Sequence, residues 1–144
     1  MSVKSIVTNT DKLSLLSLPV SSLQESLILS NDLLDTAKKC AGEGVGCVGL
    51  ALNQIGIRKR IIAVFHAGKW IVMINPVITD KYAGKTSAKE MCLSRPGVKT
   101  FRKRFKKVKV SYLDIEWNEQ TITLSRLSAR IVQHEVDHLD GVYI

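Results

Sequence analysis

Two histidines four residues apart, His134 and His138, lie near the end of the chain in the segment QHEVDHLDG (133–141). Because an α-helix turns once every ~3.6 residues, side chains at positions i and i+4 lie on the same helix face. Glu135 follows the first histidine and can reach a water molecule held between the two rings. This is the H-E-x-x-H pattern, in which two imidazoles bind a metal ion and the glutamate is a general base.

The segment before these histidines predicts the helix that carries them. Leu127 and Ile131 continue the spacing of the two histidines upstream, so that the four side chains form one stripe. Ser125 is the predicted N-cap, and Gly141 is the predicted end of the helix. The apolar part of the stripe can serve both as core and as the wall of a pocket beside the histidines.

A catalytic metal site normally has three protein ligands and one open position, so a third ligand must come from upstream. Candidates are His66, the three cysteines and the upstream carboxylates. His66 is predicted to lie in an exposed hairpin turn between RIIAVF and WIVMINP. Cys92 lies in the short segment EMCLSRPG, which ends in a Pro-Gly stop.

The H-E-x-x-H pattern also occurs by chance, and the two histidines could then be ordinary surface or core residues.

Three segments in chain order resemble the motifs of the peptide deformylase family. They are VGLALNQIG (48–56), EMCLS (90–94) and QHEVDHLDG (133–141), against the family patterns G-x-G-L-A-A-x-Q, E-G-C-L-S and Q-H-E-x-D-H-L-x-G. The likeness covers essentially the whole chain. It implies one deformylase-like domain over 1–144, in a minimal form with a short C-terminal segment.

The resemblance assigns a role to individual residues of this chain. It implies a metal site made of Cys92, His134 and His138, with Glu135 as the catalytic carboxylate. It implies that the Gln54 side chain and the backbone N–H of Leu93 hold the substrate oxygen. The resemblance also implies that Val48, Gly49 and Met91 contact the substrate. The helix stripe adds Leu127 and Ile131 as substrate-binding residues.

The implied reaction is removal of the N-formyl group from the N-terminal formylmethionine of newly made polypeptides, which releases formate. One divalent metal ion is implied, with Cys92 as a thiolate ligand. A thiolate with two imidazoles suits Fe2+, Zn2+, Ni2+ or Co2+, and the resemblance favours Fe2+. Asp137 and Asp140 are candidates for orienting an imidazole N–H, or are solvated or capping residues.

Two other functions remain open at this point. One is an H-E-x-x-H metallopeptidase that cuts internal peptide bonds, although the position of Cys92 argues against it. The other is an inactive, deformylase-derived binding protein associated with the ribosome. Retention of Gln54, Cys92, Glu135 and both histidines argues against lost activity.

The periodicity predicts an α+β fold, with antiparallel strands packed around a C-terminal metal-binding HExxH helix and with an N-terminal helix. SSLQESLILSNDLLDTAKKC forms the first helix, capped by Ser22. RIIAVF and WIVMINPVI form one strand pair. VKVSYLDI and TITL form a second pair across a turn near Asn118. The Gly-Leu-Ala stretch and EMCLS are expected to be extended segments beside the last helix.

Composition limits the cellular setting. No apolar run is long enough for a membrane span, and the N-terminus lacks the features of a signal peptide. Three cysteines do not form a disulfide framework, so we expect a reducing cytoplasm. We also expect a monomer that does not contact a membrane.

The formal net charge is +8, and much of it lies in RKRFKKVK (102–109). One interpretation is attraction to the ribosome through ribosomal RNA. The other is a solvated loop and an edge strand guarded by lysines.

The chain departs from the family motifs at three positions. Cys47 stands where the first motif begins with Gly, Leu52 replaces an Ala, and Met91 replaces the Gly of E-G-C-L-S. Met91 is next to the implied ligand Cys92, so we expect it to influence substrate fit or rate. Cys47 is expected to be a small buried residue.

Overall fold

Five antiparallel strands form one sheet in the computed structural model, which describes residues 3–43, 47–142 and 144. Each strand pairs with the next along the chain, so the order is β1-β2-β3-β4-β5. The elements are α1 (Thr10–Leu13), α2 (Leu23–Gly42), β1 (Gly49–Ala51), a 3-10 helix (Leu52–Ile55), β2 (Ile61–His66), β3 (Lys69–Cys92), β4 (Arg95–Leu113), β5 (Glu119–Ser125) and α3 (Arg126–Leu139).

The sheet lies between two helices because its central strands are apolar on both faces. Successive strand residues point to opposite faces. Ile62 and Val64 of β2 therefore belong to the core cluster that includes α3, whereas Ile61 and Ala63 belong to the cluster that includes α2. The α+β fold predicted from the sequence is confirmed, with an N-terminal helix on one face and a C-terminal helix on the other.

The N-terminal helix α2 begins where the sequence predicts. The Ser22 side chain accepts a hydrogen bond from the backbone N–H of Glu25 at 3.2 Å, which satisfies one of the free N–H groups of the first turn. The short α1 was not predicted, because four residues carry too little periodicity. None of the helices in the described part of the chain is long and apolar enough to cross a membrane.

The hairpin of β3 and β4 is much longer than the sequence suggested. Their pairing runs from Ile74 with Leu113 to Cys92 with Arg95, interrupted by four register shifts. The 102–109 run therefore lies inside β4, so its interpretation as a solvated loop is wrong, whereas the expected edge strand with lysines is present from 102 to 106, where β4 has no β5 partner. The far end of this hairpin brings Cys92 over α3.

Helix α3 begins and ends at the predicted residues, although one contact differs. Ser125 has the extended backbone of an N-cap, but its side chain makes no capping hydrogen bond. Gly141 follows the helix with φ of 76°, a left-handed conformation that suits glycine. A Cβ at this position would lie 2.7 Å from the backbone oxygen of Ser14, so glycine also permits close packing against the N-terminal segment.

Candidate metal centre

Three side chains converge where the end of β3 meets α3. The Cys92 Sγ and one ring nitrogen from each of His134 and His138 all lie within 4.8 Å of one another. The Cys92 Sγ is 3.2 Å from Nε2 of His138. His66, the other histidine candidate, lies elsewhere, with its Nδ1 2.7 Å from the Ser128 hydroxyl.

This donor set fits a divalent transition metal. A thiolate and two imidazoles are ligands that Fe2+, Zn2+, Co2+ and Ni2+ accept. Burial lowers the pKa of His138 to about 3, so its ring is neutral and keeps a lone pair for coordination. Burial also lowers the pKa of His134, but hydrogen bonds to Cys92 and Glu90 raise it to about 10. The two rings therefore differ, because only His134 has the acceptors Cys92 and Glu90 beside it.

Glu90 orients one of the two rings. Its Oε1 accepts a hydrogen bond from Nδ1 of His134 at 2.9 Å, which leaves Nε2 of that ring to face Cys92 and His138. Burial raises the pKa of Glu90, but the hydrogen bonds from His134 and Arg104 outweigh it and lower this pKa to about 2. The carboxylate is therefore charged and acts only as an acceptor.

Two arginines hold Glu90 in place. Arg104 donates from Nε to Oε2 and from Nη2 to Oε1 of the carboxylate, each at 3.0 Å. Arg130 donates to Oε2 of Glu90 at 2.9 Å. Its guanidinium also bonds the carbonyls of Thr86 and Arg102, at 2.9 Å and 2.6 Å.

The two aspartates considered from the sequence do not orient an imidazole. Asp137 accepts a hydrogen bond from Arg104, and Asp140 accepts one from Arg60 at 2.7 Å. Glu90 takes the role instead. It could have been found, because residues i and i+2 of a strand share a face. A Cys92 that faces the site from β3 therefore predicts the same face for Glu90, although the register shift between Met91 and Cys92 weakens the argument.

Glu135 lines the same cavity as Cys92 and His134 and is only 5% exposed. Its Oε1 is buried and has no hydrogen-bond partner among the described residues. Burial raises the pKa of this carboxyl to about 7, although the charges of His134 and Arg104 oppose the shift. A carboxyl with a pKa near neutrality can both accept and donate a proton at the working pH.

The Gln54 side chain also lies next to Cys92 and is fixed by a backbone hydrogen bond. Its Oε1 accepts from the backbone N–H of Ala51 at 2.9 Å, which fixes the direction of the amide. The Nε2 group consequently faces Cys92 Sγ at 3.4 Å and the Ser94 hydroxyl at 3.1 Å. Leu93 lines the same space and is half-buried.

A cavity of about 780 Å³ opens in front of these groups. Ile131 is a buried wall, whereas Leu127 is 63% exposed and lies at the rim rather than in the core. The absence of a side chain at Gly49 leaves room for the Glu135 carboxyl, since a Cβ at this position would lie 2.6 Å from Oε2 of Glu135. All five residues that the sequence assigns to substrate binding are in the lining: Val48, Gly49, Met91, Leu127 and Ile131.

The three departures from the motifs lie in different surroundings. Leu52 is fully buried in the core cluster next to α2. Cys47 is buried, as expected, and also lines the cavity. Met91 is 60% exposed in the lining of the cavity and does not belong to the core.

Comparison with protein families agrees with this geometry. The family model described as polypeptide deformylase matches residues 3–144. A peptide deformylase of Clostridium beijerinckii is 39% identical over 122 residues, covering 84% of this chain and 85% of the relative. One of Dictyoglomus thermophilum is 40% identical over 116 residues, covering 81% and 72%.

Solved structures give the same result. The peptide deformylase of Thermotoga maritima superposes with a TM-score of 0.88 at 29% identity, covering 99% of this chain and 95% of that one. An actinonin-bound class I type b peptide deformylase of Acinetobacter baumannii has a TM-score of 0.86 at 32% identity, covering 98% and 94%. The chain belongs to the polypeptide deformylase family.

Proposed function

We propose that this protein removes the N-formyl group from the N-terminal formylmethionine of newly made polypeptides and releases formate. Family membership supports the reaction. The observation that carries it in this chain is the convergence of Cys92, His134 and His138 beside the buried carboxyl of Glu135. The same site, in one domain over 1–144, accounts for each group that the hydrolysis needs.

Cys92, His134 and His138 are the proposed ligands of one divalent metal ion. When bound, such an ion supplies a Lewis acid that polarises a carbonyl oxygen and lowers the pKa of water. The carboxylate of Glu90, held by two arginines, sets the tautomer of His134 for this role. We propose Fe2+ as the metal of the active enzyme, with Zn2+, Ni2+ or Co2+ as substitutes.

Glu135 is the proposed general base and acid. It takes a proton from the attacking water as the water oxygen bonds to the formyl carbon. It then delivers that proton to the amine nitrogen as the carbon–nitrogen bond breaks. A pKa raised to about 7 by burial suits both transfers.

Gln54 and the backbone N–H of Leu93 are the proposed donors to the developing oxyanion. The Gln54 amide is already oriented by its bond to Ala51, so little reorganisation is needed during the reaction. One preorganised donor of this kind typically lowers the barrier by ~3 kcal/mol.

The methionine side chain is proposed to enter the apolar part of the cavity. Val48 and Ile131 form apolar wall, and Leu127 and Met91 are exposed at the rim, where the following residues of the polypeptide would pass. Gly49 keeps the backbone of the substrate close to Glu135.

We also propose that the protein acts as a monomer and that exposed lysines of the 102–109 run contact the ribosome. Lys103, Lys106 and Lys107 are exposed, whereas Arg104 is buried against Glu90 and Asp137 and is not available to a partner. Cosedimentation with ribosomes and light scattering would test the two statements separately.

The reaction is tested by formate release from a formyl-Met tripeptide. The protein is purified without oxygen and loaded separately with Fe2+, Ni2+ and Zn2+. We expect metal-dependent turnover, fastest with Fe2+, that Glu135→Gln abolishes while the bound metal is retained. Mass spectrometry of the products distinguishes the metallopeptidase alternative, which would cut internal bonds. Absence of formate with a full metal site would support the inactive binding protein.

A further inference from the structure

The end of the β3–β4 hairpin projects beyond the rest of the sheet. Strand β2 pairs with β3 only up to Ile74, and β5 pairs with β4 only from Lys107 onwards. From Lys85 to Met91 and from Lys99 to Phe105, the two strands pair with each other in an unbroken register. We call this two-stranded segment the arm.

The arm has two different faces, because antiparallel partners share a face and successive residues alternate. One face carries Glu90 and Arg104 and packs against α3 through the ion pairs of the metal site. The opposite face, which we call the outer face, consists of Lys85, Ser87, Lys89, Met91, Lys99, Phe101, Lys103 and Phe105.

The outer face combines positive charge with one exposed aromatic ring, that of Phe101, whereas Phe105 is partly buried against the core. Its four lysines are all exposed, and it carries no carboxylate. Phe101 is 70% exposed, which is unusual for a phenyl ring on a sheet. The ammonium group of Lys89 lies 5.6 Å from the centre of the Phe101 ring, and that of Lys85 lies 4.8 Å from the centre of the Phe105 ring.

The charge of the wider hairpin is equally one-sided. Residues 81–109 contain eleven lysines and arginines and a single acid, Glu90. That acid faces inward and is occupied by Arg104, Arg130 and His134. The field around the arm is therefore positive and attracts a polyanion.

We propose that the outer face binds single-stranded nucleic acid. Exposed aromatic rings stack with bases, and flanking lysines neutralise the phosphates; this combination binds single strands without reading their sequence. Phe101 is the base platform, and Lys85, Lys89, Lys99 and Lys103 follow the backbone. An acidic polypeptide would use the lysines but would gain little from the exposed phenyl ring. The inference does not depend on the proposed reaction.

Fluorescence anisotropy of labelled U12 and dT12 oligonucleotides tests the proposal on the full chain. Each phosphate neutralised on a single strand contributes about −0.7 to the slope of log Kobs against log salt, so four lysines predict a slope of about −3. Phe101→Ala should raise the Kd at least about fivefold, as expected for one lost base stack. Lys85→Gln/Lys103→Gln should make the slope shallower by about 1.4.

The double variant Lys38→Gln/Lys39→Gln is the matched control, because it removes two exposed lysines from α2. It should leave both the Kd and the slope unchanged. Comparison of U12 with dT12 distinguishes RNA from DNA as the ligand, and binding to either one supports the proposal. Unchanged circular dichroism and unchanged formate release would show that the variants fold, since none of the altered residues belongs to the proposed site.

Three results would overturn the inference. The first is binding that is insensitive to Phe101→Ala and equally sensitive to the arm and α2 lysine pairs, which would indicate diffuse attraction to a basic protein. The second is a poly-glutamate peptide that competes as well as U12, which would indicate an acidic protein partner. The third is the absence of measurable binding to both oligonucleotides at low salt.

Discussion

Glu90 on strand β3 accepts a hydrogen bond from the Nδ1 atom of His134 on helix α3, at 2.9 Å. The bond joins two elements that are distant in sequence and fixes which ring nitrogen faces Cys92. Because hydrogen-bonded partners of a metal ligand typically contribute ~10–100-fold to metal affinity, we expect Glu90 to strengthen metal binding at the proposed site without being a ligand itself.

We expect Glu90→Gln to weaken metal binding about 10–100-fold. Gln can present its NH2 group to His134 and no longer carries the charge that holds the ring. The Kd for Zn2+ or Co2+, measured by competition with a chromogenic chelator, checks this. Glu116→Gln, the same change at an exposed position of the β4–β5 turn, is the control. Equal metal affinity in the two variants would show that Glu90 does not contribute to metal binding.

Arg104→Met should lower the free energy of unfolding by about 3 kcal/mol, because removal of one partner leaves buried charges uncompensated. Arg104 is 6% exposed and bridges Glu90 to Asp137. Urea denaturation of the chelator-treated protein separates this effect from metal loss. Lys106→Met is the control at an exposed position of the same strand, and a loss as large as that of Arg104→Met would contradict the assignment.

Gly49→Ala should reduce kcat about 100-fold or more while the metal content stays the same. The new Cβ would lie 2.6 Å from Oε2 of Glu135 and 2.7 Å from Cγ2 of Ile131, so the carboxyl must move. Displacement of a catalytic group by ~1 Å costs about 100-fold. Formate release and metal analysis are compared with Gly42→Ala, where the added Cβ meets nothing within 4 Å. A variant with normal kcat would show that Glu135 tolerates the shift.

Protonation of Asp114 should lower the free energy of unfolding at acidic pH. Hydrogen bonds from the backbone of Asn118, the Gln120 side chain and the backbone of Glu116 lower its pKa. A lowered pKa stabilises the folded state above the unfolded pKa of ~3.9, and this contribution is lost as the pH falls through the folded pKa. Asp114→Asn should therefore flatten the dependence of unfolding free energy on pH in that acidic window. Identical slopes for the two proteins would disprove the assignment.

The sequence predicts those parts of the structure that depend on interactions between residues close together in the chain. His134 and His138 share a face because of helix geometry alone, and Ser22 caps α2 through a bond three residues away. Cys92 is less accessible to such reasoning, since nothing in the residues around it shows that β3 ends over α3. Its assignment depended on the family motif.

The long arm was missed for a physical reason. Strand patterns are recognised where one face is apolar and buried, but the inner face of the arm carries Glu90, Arg102 and Arg104 instead. The charges of Glu90 and Arg104 are paired with each other and with residues of α3, more than twenty residues further along the chain, so the local pattern resembles a solvated loop. The alternation of lysine and phenylalanine from Lys99 to Phe105 was the signal of a strand, with its two faces set by period two.

The positions of the proposed metal ligands also have a consequence for folding. Cys92 belongs to the sheet and the two histidines belong to the last helix, so a coordinated ion would join segments more than forty residues apart and close a loop that contains β4 and β5. Cross-links that close long loops remove many conformations from the unfolded chain. Binding that occurs only in the folded state also shifts the equilibrium by mass action. The proposed catalytic ion would therefore also act as a reversible cross-link, and the concentration of free metal would set how strongly it stabilises the folded state.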